Sequence, residues 1–459
     1  MTPQLMDRPV KILVICKSGR LDCLVDTLDR SARPHEIYVL SEVKNRALLS
    51  KAVGVEQGRT DDIEVVRAYA ERVRPDFVVI GPEEPLAAGV VNVLQDLGIP
   101  SVGPTKNLAR LETSKSFLRE LLKSYRIAGN PEFRTFYDMV GLRVYLDSHR
   151  PFVVKPDGLT GGKGVKVFGE HLHTIDEAVR YCEEVFDSGQ RAVVIEERLD
   201  GEEFSFQSFC DGRNVIDMIP VQDHKRAWNG DQGPNTGGMG SYSCEDHLLP
   251  FLKREHIVAA SRINAAVASA LHDATQEEYK GILYGSFMLT KNELKVIEYN
   301  ARFGDPEIMN VLPLLDADFI DVCQSIILGN LDKMKIYFRH LASVCKYIVP
   351  EGYPDNSVVN GKIRMTNFPP VTDQLRVYYA SVNGETDELV LTGSRAIAVV
   401  GIGKNVAEAE RIAEAAACKI EGPVVHRTDI GTTELIASRV AHMAKLNRQA
   451  ILKPERQTA

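Results

Sequence analysis

Strand-like apolar segments alternate with amphipathic stretches through the first quarter of the chain, and this alternation leaves few possible folds. Residues 10–16 (VKILVIC), 36–40 (EIYVL) and 76–80 (DFVVI) have the pattern of buried strands, with helical stretches between them. Strands that alternate with helices form a parallel sheet, because each helix returns the chain to the end of the sheet at which the previous strand began. We therefore expect an α/β domain over residues 1–113.

The pattern changes after that domain. A helix is expected at TSKSFLRELLKSY, where Thr113 or Ser114 can cap it, and from about residue 150 the apolar runs are joined by Gly-rich or charged turns. Such turns are typical of antiparallel sheet, and a small α+β block follows residue 340. Because 459 residues exceed what one core usually serves, we predict an α/β and α+β multidomain protein with boundaries 1–113, 114–328 and 329–459.

Composition excludes several classes of protein. The formal net charge is −8 and no run of Lys and Arg stands out, which argues against a nucleic-acid partner. The eight cysteines contain no CxxC pair and no ligand-like spacing to His, so reduced thiols are favoured over disulfides or a zinc site. The N-terminus lacks the apolar core of a signal peptide and no apolar run approaches bilayer length, so we expect a soluble cytoplasmic protein without a membrane partner.

The first segment whose residues suggest a chemical function is VVKPDGLTGGKGVKV, residues 153–167. Its glycines allow a strand-loop-strand turn to bring backbone N–H groups close to an anion, and they are Gly158, Gly161, Gly162 and Gly164. Lys155 and Lys163 add positive charge. The segment is not a P-loop, because Asp157 stands where the first Gly should be and no Ser or Thr follows Lys163. From these residues alone, phosphate binding and a plain β-hairpin both remain open.

Two further segments carry acidic residues at strand ends. In VVIEERLDGEEFSF, Glu196, Leu199 and Glu203 could provide acceptors for an adenine and a ribose, although a solvated acidic turn fits the same pattern. In KVIEYNARFGDPEIMN, Glu298 and Asn300 alternate onto one face of a strand and offer the oxygen ligands that Mg²⁺ prefers. The alternative for this pair is the wet face of an ordinary strand.

Together these segments resemble the ATP-grasp ligases and, among them, the glycinamide ribonucleotide synthetase (phosphoribosylamine–glycine ligase) family. The similarity lies in VVKPDGLTGGKGV, IEERLDGEEFSF, DHKR…GPNTGGMG, VIEYNARFGDPE and HRTDIGT, which occur in the order expected for that family. It implies an ATP-grasp fold with an N-terminal Rossmann-like (pre-ATP-grasp) domain, a small mobile lid at about 125–195 and a C-terminal α+β domain. The implied activity joins glycine to 5-phosphoribosylamine through an acyl phosphate, with ATP as cosubstrate and Mg²⁺ or Mn²⁺ as metal.

The resemblance also implies a role for each matching residue. Those implied to bind ATP are Lys115, Lys155, Gly161, Gly162, Lys163, Gly164, Glu196, Glu197, Leu199 and Glu203. The metal ligands would be Glu298 and Asn300, and the catalytic residues Arg302, Lys225 and Asp305. Arg302 would stabilise the phosphoryl group in transfer. Partners would be small molecules, and the protein would be a monomer or homodimer.

The substrate residues lie in HKRAWNGDQGPNTGGMGSYS, residues 224–243, and in the first turn of the chain. The loop would bind substrate through cationic side chains and unobstructed backbone N–H groups, by means of Asp223, His224, Arg226, Asn235, Thr236, Gly237 and Gly238. The alternative is a disordered surface loop. The first turn, CKSGRLDCLV, has fewer glycines than the family pattern, so Lys17 and Arg20 would replace the lost backbone donors. This departure leaves open a paralogous ligase for another amine or amino acid. A third alternative is a nucleotide-binding module without catalysis, against which the intact Lys155, Glu298, Asn300 and Arg302 argue.

Overall fold

The structure, a computed structural model, describes residues 8–159, 164–291, 293–384 and 388–452. Its N-terminal part is a five-stranded parallel sheet with strand order β3-β2-β1-β4-β5, which confirms the predicted α/β unit. The elements are β1 (Val10–Ile15), α1 (Gly19–Asp29), β2 (His35–Ser41), α2 (Arg46–Lys51), β3 (Gly54–Gln57), α3 (Ile63–Val73), β4 (Phe77–Ile80), α4 (Glu83–Ala88), α5 (Val90–Asp96), β5 (Ser101–Val102) and α6 (Arg110–Thr113).

A second, antiparallel sheet of four strands in the order β6-β9-β7-β8 follows, and it occupies most of the range predicted for the lid. Ser114, rather than Thr113, caps the helix before it, because its side chain accepts a hydrogen bond from the Phe117 N–H at 3.2 Å. The elements are α7 (Lys115–Ser124), β6 (Phe133–Phe136), α8 (Leu142–Ser148), β7 (Phe152–Pro156), β8 (Lys166–Val167), α9 (Ile175–Asp187) and β9 (Val193–Glu197). This unit has its own apolar core, separate from the main one.

The central part is built on an antiparallel sheet in the order β11-β10-β16-β17, against which α10 packs. Its elements are β10 (Gly201–Asp211), β11 (Val215–Asp217), β12 (Gln222–Asp223), β13 (Arg226–Trp228), β14 (Gln232–Asn235), β15 (Gly240–Ser243), α10 (Arg254–Thr275), β16 (Lys280–Thr290), β17 (Leu294–Asn300), α11 (Ile308–Val311), β18 (Leu315–Asp316) and α12 (Phe319–Leu328).

The C-terminal part combines a large antiparallel sheet with a small three-stranded sheet, β21-β24-β23. Its elements are β19 (Tyr337–Phe338), β20 (Ala342–Pro350), β21 (Lys362–Arg364), β22 (Leu375–Tyr379), β23 (Val382–Asn383), β24 (Glu388–Leu391), β25 (Ile397–Gly403), α13 (Val406–Ala417), β26 (Val424–Val425) and α14 (Thr433–Leu452).

The large C-terminal sheet includes strands from both sides of the domain boundary predicted at residue 328. Its order is β12-β15-β20-β25-β22, so two of its strands come from the central part of the chain. One continuous apolar core accordingly runs through the N-terminal, central and C-terminal parts. Within the described ranges, no helix is long and apolar enough to cross a bilayer.

Candidate active site

A cleft lined by both charged and apolar side chains lies where β17 leaves the central sheet, facing α6, α7 and the turn after β7. The sequence-predicted residues Lys115, Glu298, Asn300 and Arg302 meet there, and the lining comprises Glu83, Leu111, Glu112, Lys115, Leu118, Gly158, Leu159, Val165, Glu298, Tyr299, Asn300 and Arg302. The cleft therefore unites two candidate oxygen ligands with two of the candidate cations.

Glu298 is held as an anion in this cleft. Burial alone would raise the pKa of its carboxyl, but Lys225, Lys155 and Lys115 outweigh that effect and lower the pKa. A deprotonated carboxylate beside the Asn300 amide is the hard-oxygen donor pair that Mg²⁺ and Mn²⁺ favour. The donor set fits the metal that the sequence predicted at these two residues.

Two lysines approach the same cleft from different elements. Lys115, the first residue of α7, donates a hydrogen bond through Nζ to the carbonyl of Gly158 at 2.7 Å, and burial lowers its pKa. Lys155, on β7, lies 2.8 Å from Glu196 and donates to the Ile297 carbonyl at 3.2 Å. Both ammonium groups are thus held next to the lid turn, where the sequence analysis placed the ATP phosphates.

Glu196 has a different environment from the one expected. Its carboxylate accepts two hydrogen bonds from Arg119, at 2.7 and 2.9 Å, and also pairs with Lys155. Burial would raise its pKa, but these two cations lower it. With both oxygens engaged, the contacts favour a role in positioning Lys155 over the predicted direct contact with adenine.

The neighbouring acidic residues are also paired. Glu197 accepts a hydrogen bond from the Glu132 N–H at 2.9 Å and lies 3.4 Å from Lys295. Glu203 lies 3.3 Å from Lys225 at the start of β10. Leu199 is half-buried in the short connection between β9 and β10, so its backbone lies at the junction of the lid and the central sheet.

Arg302 is fixed between two carboxylates of the N-terminal part of the chain. Its guanidinium lies 3.1 Å from Glu83 and 2.9 Å from Glu112. Burial opposes the charge of Arg302, but Glu112 and Glu83 raise its pKa further above its usual range. Of the two carboxyls, Glu112 has its pKa raised to about 7, mainly by burial. The sequence analysis gave neither a role, although Glu83 lies in the family-like segment GPEEPLAAGVV.

Asp157 is a further residue that the sequence analysis assigned no role. Its carboxylate accepts hydrogen bonds from the Ser116 N–H at 3.1 Å and from the Ser116 hydroxyl at 2.6 Å, with Ser114 at 3.2 Å. The end of β7 is therefore fastened to the first turn of α7. Beyond it, Gly161, Gly162 and Lys163 lie outside the described residues, and the Gly164 carbonyl accepts a hydrogen bond from Tyr181 at 2.6 Å.

Residues 224–238 contain the hairpin β13–β14 rather than a disordered loop. Arg226 forms an ion pair with Glu170 of the lid sheet unit, so this predicted substrate residue is occupied here by a carboxylate. The hairpin tip is fastened to the C-terminal part: Asn229 exchanges hydrogen bonds with Thr428, and the Gly230 N–H donates to Asp429 at 2.8 Å. We name residues 427–429 the clamp segment.

Lys225 and Asp223 flank the base of the hairpin. Lys225 lies between Glu203 and Asp223, at 3.3 and 3.8 Å, and these carboxylates raise its pKa well above the usual range. Burial raises the pKa of Asp223 to about 7, although Lys225 opposes this. Lys225 also contributes to the low pKa of Glu298, which brings this predicted catalytic residue close to the metal-ligand pair.

The glycines after the hairpin differ from the open anion site that the sequence suggested. The Thr236 N–H donates to the Lys225 carbonyl at 2.7 Å, and the Gly238 N–H donates to the Thr236 hydroxyl at 3.0 Å. Asn235 is exposed and pairs with Arg226 in the hairpin. These N–H groups of Thr236 and Gly238 are used within the turn, so they do not form the substrate nest predicted there.

Close packing explains why small residues stand at those positions. Arg395 donates hydrogen bonds to the carbonyls of Gly237 and Gly238, at 2.7 and 3.1 Å. A Cβ on Gly237 would come within 3.2 Å of the Arg395 guanidinium, and a Cβ on Gly238, whose φ is +109°, within 2.7 Å of Pro306. Arg395 was not predicted, because an isolated arginine 157 residues away gives no local pattern.

Asp305 lies at the junction of three parts of the chain. Its oxygens accept hydrogen bonds from Ser18 and Tyr347, both at 2.7 Å, and Arg395 lies 3.1 Å away. Burial would raise the pKa of Asp305, but Arg395 and Arg20 outweigh it and lower the pKa. These partners favour a positioning role over the catalytic role predicted from the sequence.

Lys17 and Arg20, the predicted phosphate ligands, differ in how exposed they are to a substrate. Lys17 is half-buried and lies 3.0 Å from Glu84 and 3.6 Å from Glu42. Arg20 is only 7% exposed and donates to the carbonyls of Gly81 and Phe303. Arg20 therefore joins the first helix to the loop after β17, and Lys17 is the better placed of the two to meet a substrate.

His224 contradicts its predicted role as a cationic donor. The imidazole is 2% exposed, and neither ring nitrogen has a hydrogen-bond partner among the described residues. Burial, reinforced by Arg439 and Arg427, lowers its pKa to about 3, so the ring is neutral at physiological pH. Its neighbour Lys225, not His224, supplies the positive charge at this point of the chain.

Comparison with known proteins gives consistent similarities over the length of the chain. Residues 10–112 match the model of the phosphoribosylglycinamide synthetase N domain, residues 113–308 its ATP-grasp (A) domain and residues 343–433 its C domain. A phosphoribosylamine–glycine ligase of Methanococcus maripaludis is 44% identical over 444 residues, covering 95% of this chain and 100% of that protein.

Solved structures agree in fold. A crystal structure of phosphoribosylamine–glycine ligase from Thermotoga maritima has a TM-score of 0.77 and 25% identity, and covers 92% of this chain and 100% of that one. The biotin carboxylase domain of the Hydrogenobacter thermophilus 2-oxoglutarate carboxylase, solved with MgADP, ADP and bicarbonate, has a TM-score of 0.72 at 15% identity. It covers 95% of this chain and 93% of that one, and shows likeness of fold alone.

The neutral state of His224 predicts a specific acid sensitivity. The unfolded chain protonates this residue near its usual pKa of 6.5, whereas the folded chain resists protonation down to about pH 3. Its contribution to stability is therefore full above pH 6.5 and is lost as the pH falls towards 3. Urea unfolding at about pH 8 and about pH 5 should show a smaller loss of stability for His224→Gln than for the wild type.

The exposed His173 provides the matched control. His173→Gln should leave the pH dependence of unfolding as in the wild type. Equal pH dependence for His224→Gln and the wild type would contradict the buried, neutral assignment.

Proposed function

The chain belongs to the phosphoribosylglycinamide synthetase family, and from this premise we propose how its cleft joins glycine to 5-phosphoribosylamine. As an ATP-dependent carbon–nitrogen ligase of purine biosynthesis, the enzyme forms glycinamide ribonucleotide, ADP and phosphate. The observation that carries the site assignment is the meeting of Lys115, Glu298, Asn300 and Arg302 in one cleft beside the lid.

ATP enters this cleft with a divalent cation. Lys115 and Lys155 provide positive charge for the phosphates, and their fixed hydrogen bonds to Gly158 and Ile297 support this placement. Glu298 and Asn300 would hold Mg²⁺ or Mn²⁺, which neutralises charge on the phosphates during transfer. Glu203 remains the residue for the ribose, since among the described residues its carboxylate pairs only with the half-exposed Lys225.

Glycine must be activated before an amine can attack it. Its carboxylate takes the terminal phosphoryl group of ATP and becomes an acyl phosphate, and the amine of phosphoribosylamine then displaces phosphate from the acyl carbon. Arg302 stabilises the charge of the phosphoryl group in transfer. Its carboxylate partners Glu83 and Glu112 support this role by fixing the guanidinium in one orientation at the cleft wall.

The hairpin and the lid keep water from the acyl phosphate. Arg226 of the hairpin pairs with Glu170 of the lid, a contact that supports closure of one against the other. For the amine substrate, Lys17 is the preferred phosphate ligand, because Arg20 is already committed to two backbone carbonyls. Lys225 and Asp223, at the hairpin base, are the polar groups for the amino acid.

The decisive experiment is ADP release with defined substrates. Glycine plus 5-phosphoribosylamine should release ADP in step with glycinamide ribonucleotide, while other amino acids and amines should not. ADP release that requires a different amine would overturn the proposed substrates and leave the ATP half of the site intact.

Glu298→Gln should retain nucleotide binding and lose phosphoryl transfer. A neutral amide is a poorer ligand for Mg²⁺ than a carboxylate, so turnover should fall by about 100-fold or more. ADP release measured against Mg²⁺ concentration, together with nucleotide binding by calorimetry, checks this. Glu293→Gln, at an exposed position just before the same strand, is the matched control, and wild-type turnover of Glu298→Gln at limiting Mg²⁺ would exclude the ligand role.

The lid should close on nucleotide. With Leu159 and Val165 in the described position the cleft has a volume of about 150 Å³, below the roughly 300 Å³ at which pockets for small ligands usually begin. The lid must therefore open to admit ATP and close over it. Amide hydrogen exchange over residues 157–165 should slow when ATP and Mg²⁺ are added, and equal exchange with and without nucleotide would disprove the lid.

A further inference from the structure

Three potential metal ligands meet beside α13, the helix that packs against β20 and β25 of the C-terminal sheet. Glu414 lies in the last turn of α13, Cys418 is the residue that ends this helix, and His426 follows β26. Their ligand atoms all lie within 4.8 Å of one another. Residues four apart share one face of a helix, so α13 presents carboxylate and thiol together, and the chain then returns to add the imidazole.

The separations of the thiol and the imidazole from the Glu414 carboxylate match those of a tetrahedral site. Cys418 Sγ lies 3.5 Å from Glu414 Oε1, and His426 Nε2 lies 3.3 and 3.2 Å from the two oxygens of Glu414. Zn²⁺ bonds of roughly 2.3 Å to sulfur and 2.0 Å to oxygen or nitrogen, at tetrahedral angles, put sulfur about 3.5 Å and nitrogen about 3.3 Å from oxygen. Two of the three separations thus fit a tetrahedral arrangement, and the third, between Cys418 Sγ and His426 Nε2, lies within 4.8 Å.

The neighbouring residues orient the Glu414 carboxylate and balance the charge of the metal-ligand cluster. Lys346 is fully buried, and its Nζ donates to Glu410 at 2.7 Å, to Glu414 Oε2 at 2.6 Å and to the Thr428 carbonyl at 2.8 Å. This contact fixes the Glu414 carboxylate and leaves Oε1 facing the thiol. Two carboxylates and a thiolate, against one ammonium and one divalent cation, would leave the cluster neutral.

The cluster is also accessible. Cys418 is exposed, while the other seven cysteines of the chain are buried, and Glu414 and His426 are half-buried. A cation can thus enter from solvent, and a water molecule can complete its coordination. The thiol proton leaves to solvent as the metal–sulfur bond forms.

We propose that Glu414, Cys418 and His426 form a binding site for a thiophilic divalent cation of the Zn²⁺ class, separate from the magnesium ligands of the cleft. The next residue after His426 begins the clamp segment, whose Thr428 and Asp429 hold the tip of the substrate hairpin. A cation at this site therefore ties α13 to the clamp segment and steadies the hairpin.

Cobalt titration of the reduced, chelator-treated protein without a histidine tag tests the site. Bound Co²⁺ should show a sulfur-to-metal charge-transfer band that Zn²⁺ abolishes. Cobalt at Glu298 and Asn300 should not produce that band, because the described lining of the cleft contains no Cys or Met. Cys418→Ser should remove the band, and His426→Gln should weaken Co²⁺ binding at least about tenfold. Cys418→His should keep the binding and lose the band, and Glu421→Gln, an exposed acid outside the cluster, should change neither.

Hydrogen exchange gives a second readout that does not depend on catalysis. Saturating Zn²⁺ should slow exchange in residues 226–235 and 427–429 of the wild type and not of Cys418→Ser. Co²⁺ binding without the band, or a band that survives Cys418→Ser, would overturn the site. Unchanged exchange with the metal bound would overturn its link to the hairpin. None of these measurements uses the substrates of the ligase, so the metal site and the proposed substrates are tested separately.

Discussion

The arrangement of the cleft depends on the ion pair and the hydrogen bonds of the buried Asp305 carboxylate. A charge out of water is costly unless it is paired and hydrogen-bonded. Its partners come from the first turn of the chain, through Ser18, and from the C-terminal part, through Tyr347 and Arg395. Because Arg395 also donates to the carbonyls of Gly237 and Gly238, one ion cluster joins the turn after β17 to the segment after the hairpin.

Much of the fold could be predicted because its periodicity is local. The strands at 10–15, 35–41 and 77–80 follow continuous apolar runs. Ser114 caps α7 in agreement with the general preference for serine at the N-cap position of helices. The pairing of Glu298 with Asn300 could likewise be predicted, since alternation along a strand puts them on one side.

What could not be predicted depends on contacts between distant residues. His224 is next to Lys225 in a polar segment and looks like a donor, yet the residues that surround and neutralise it include Arg427 and Arg439 from the end of the chain. Arg119 and Glu112 gave no motif, although they fix Glu196 and Arg302. The sequence shows no CxxC pair and no ligand-like spacing of cysteine to histidine, because only the fold brings His426, which follows β26, close to Cys418.

The two central strands that join the C-terminal sheet have a consequence for how the protein can be divided. β15 lies between β12 and β20, so a cut between the family's A and C domains would expose backbone donors and acceptors along both β15 and β20. An exposed sheet edge of this kind invites pairing with other chains. Separate expression of the two halves would therefore yield fragments prone to association rather than independent modules, and any permutation of the gene must keep residues 222–243 and β20 in the same chain.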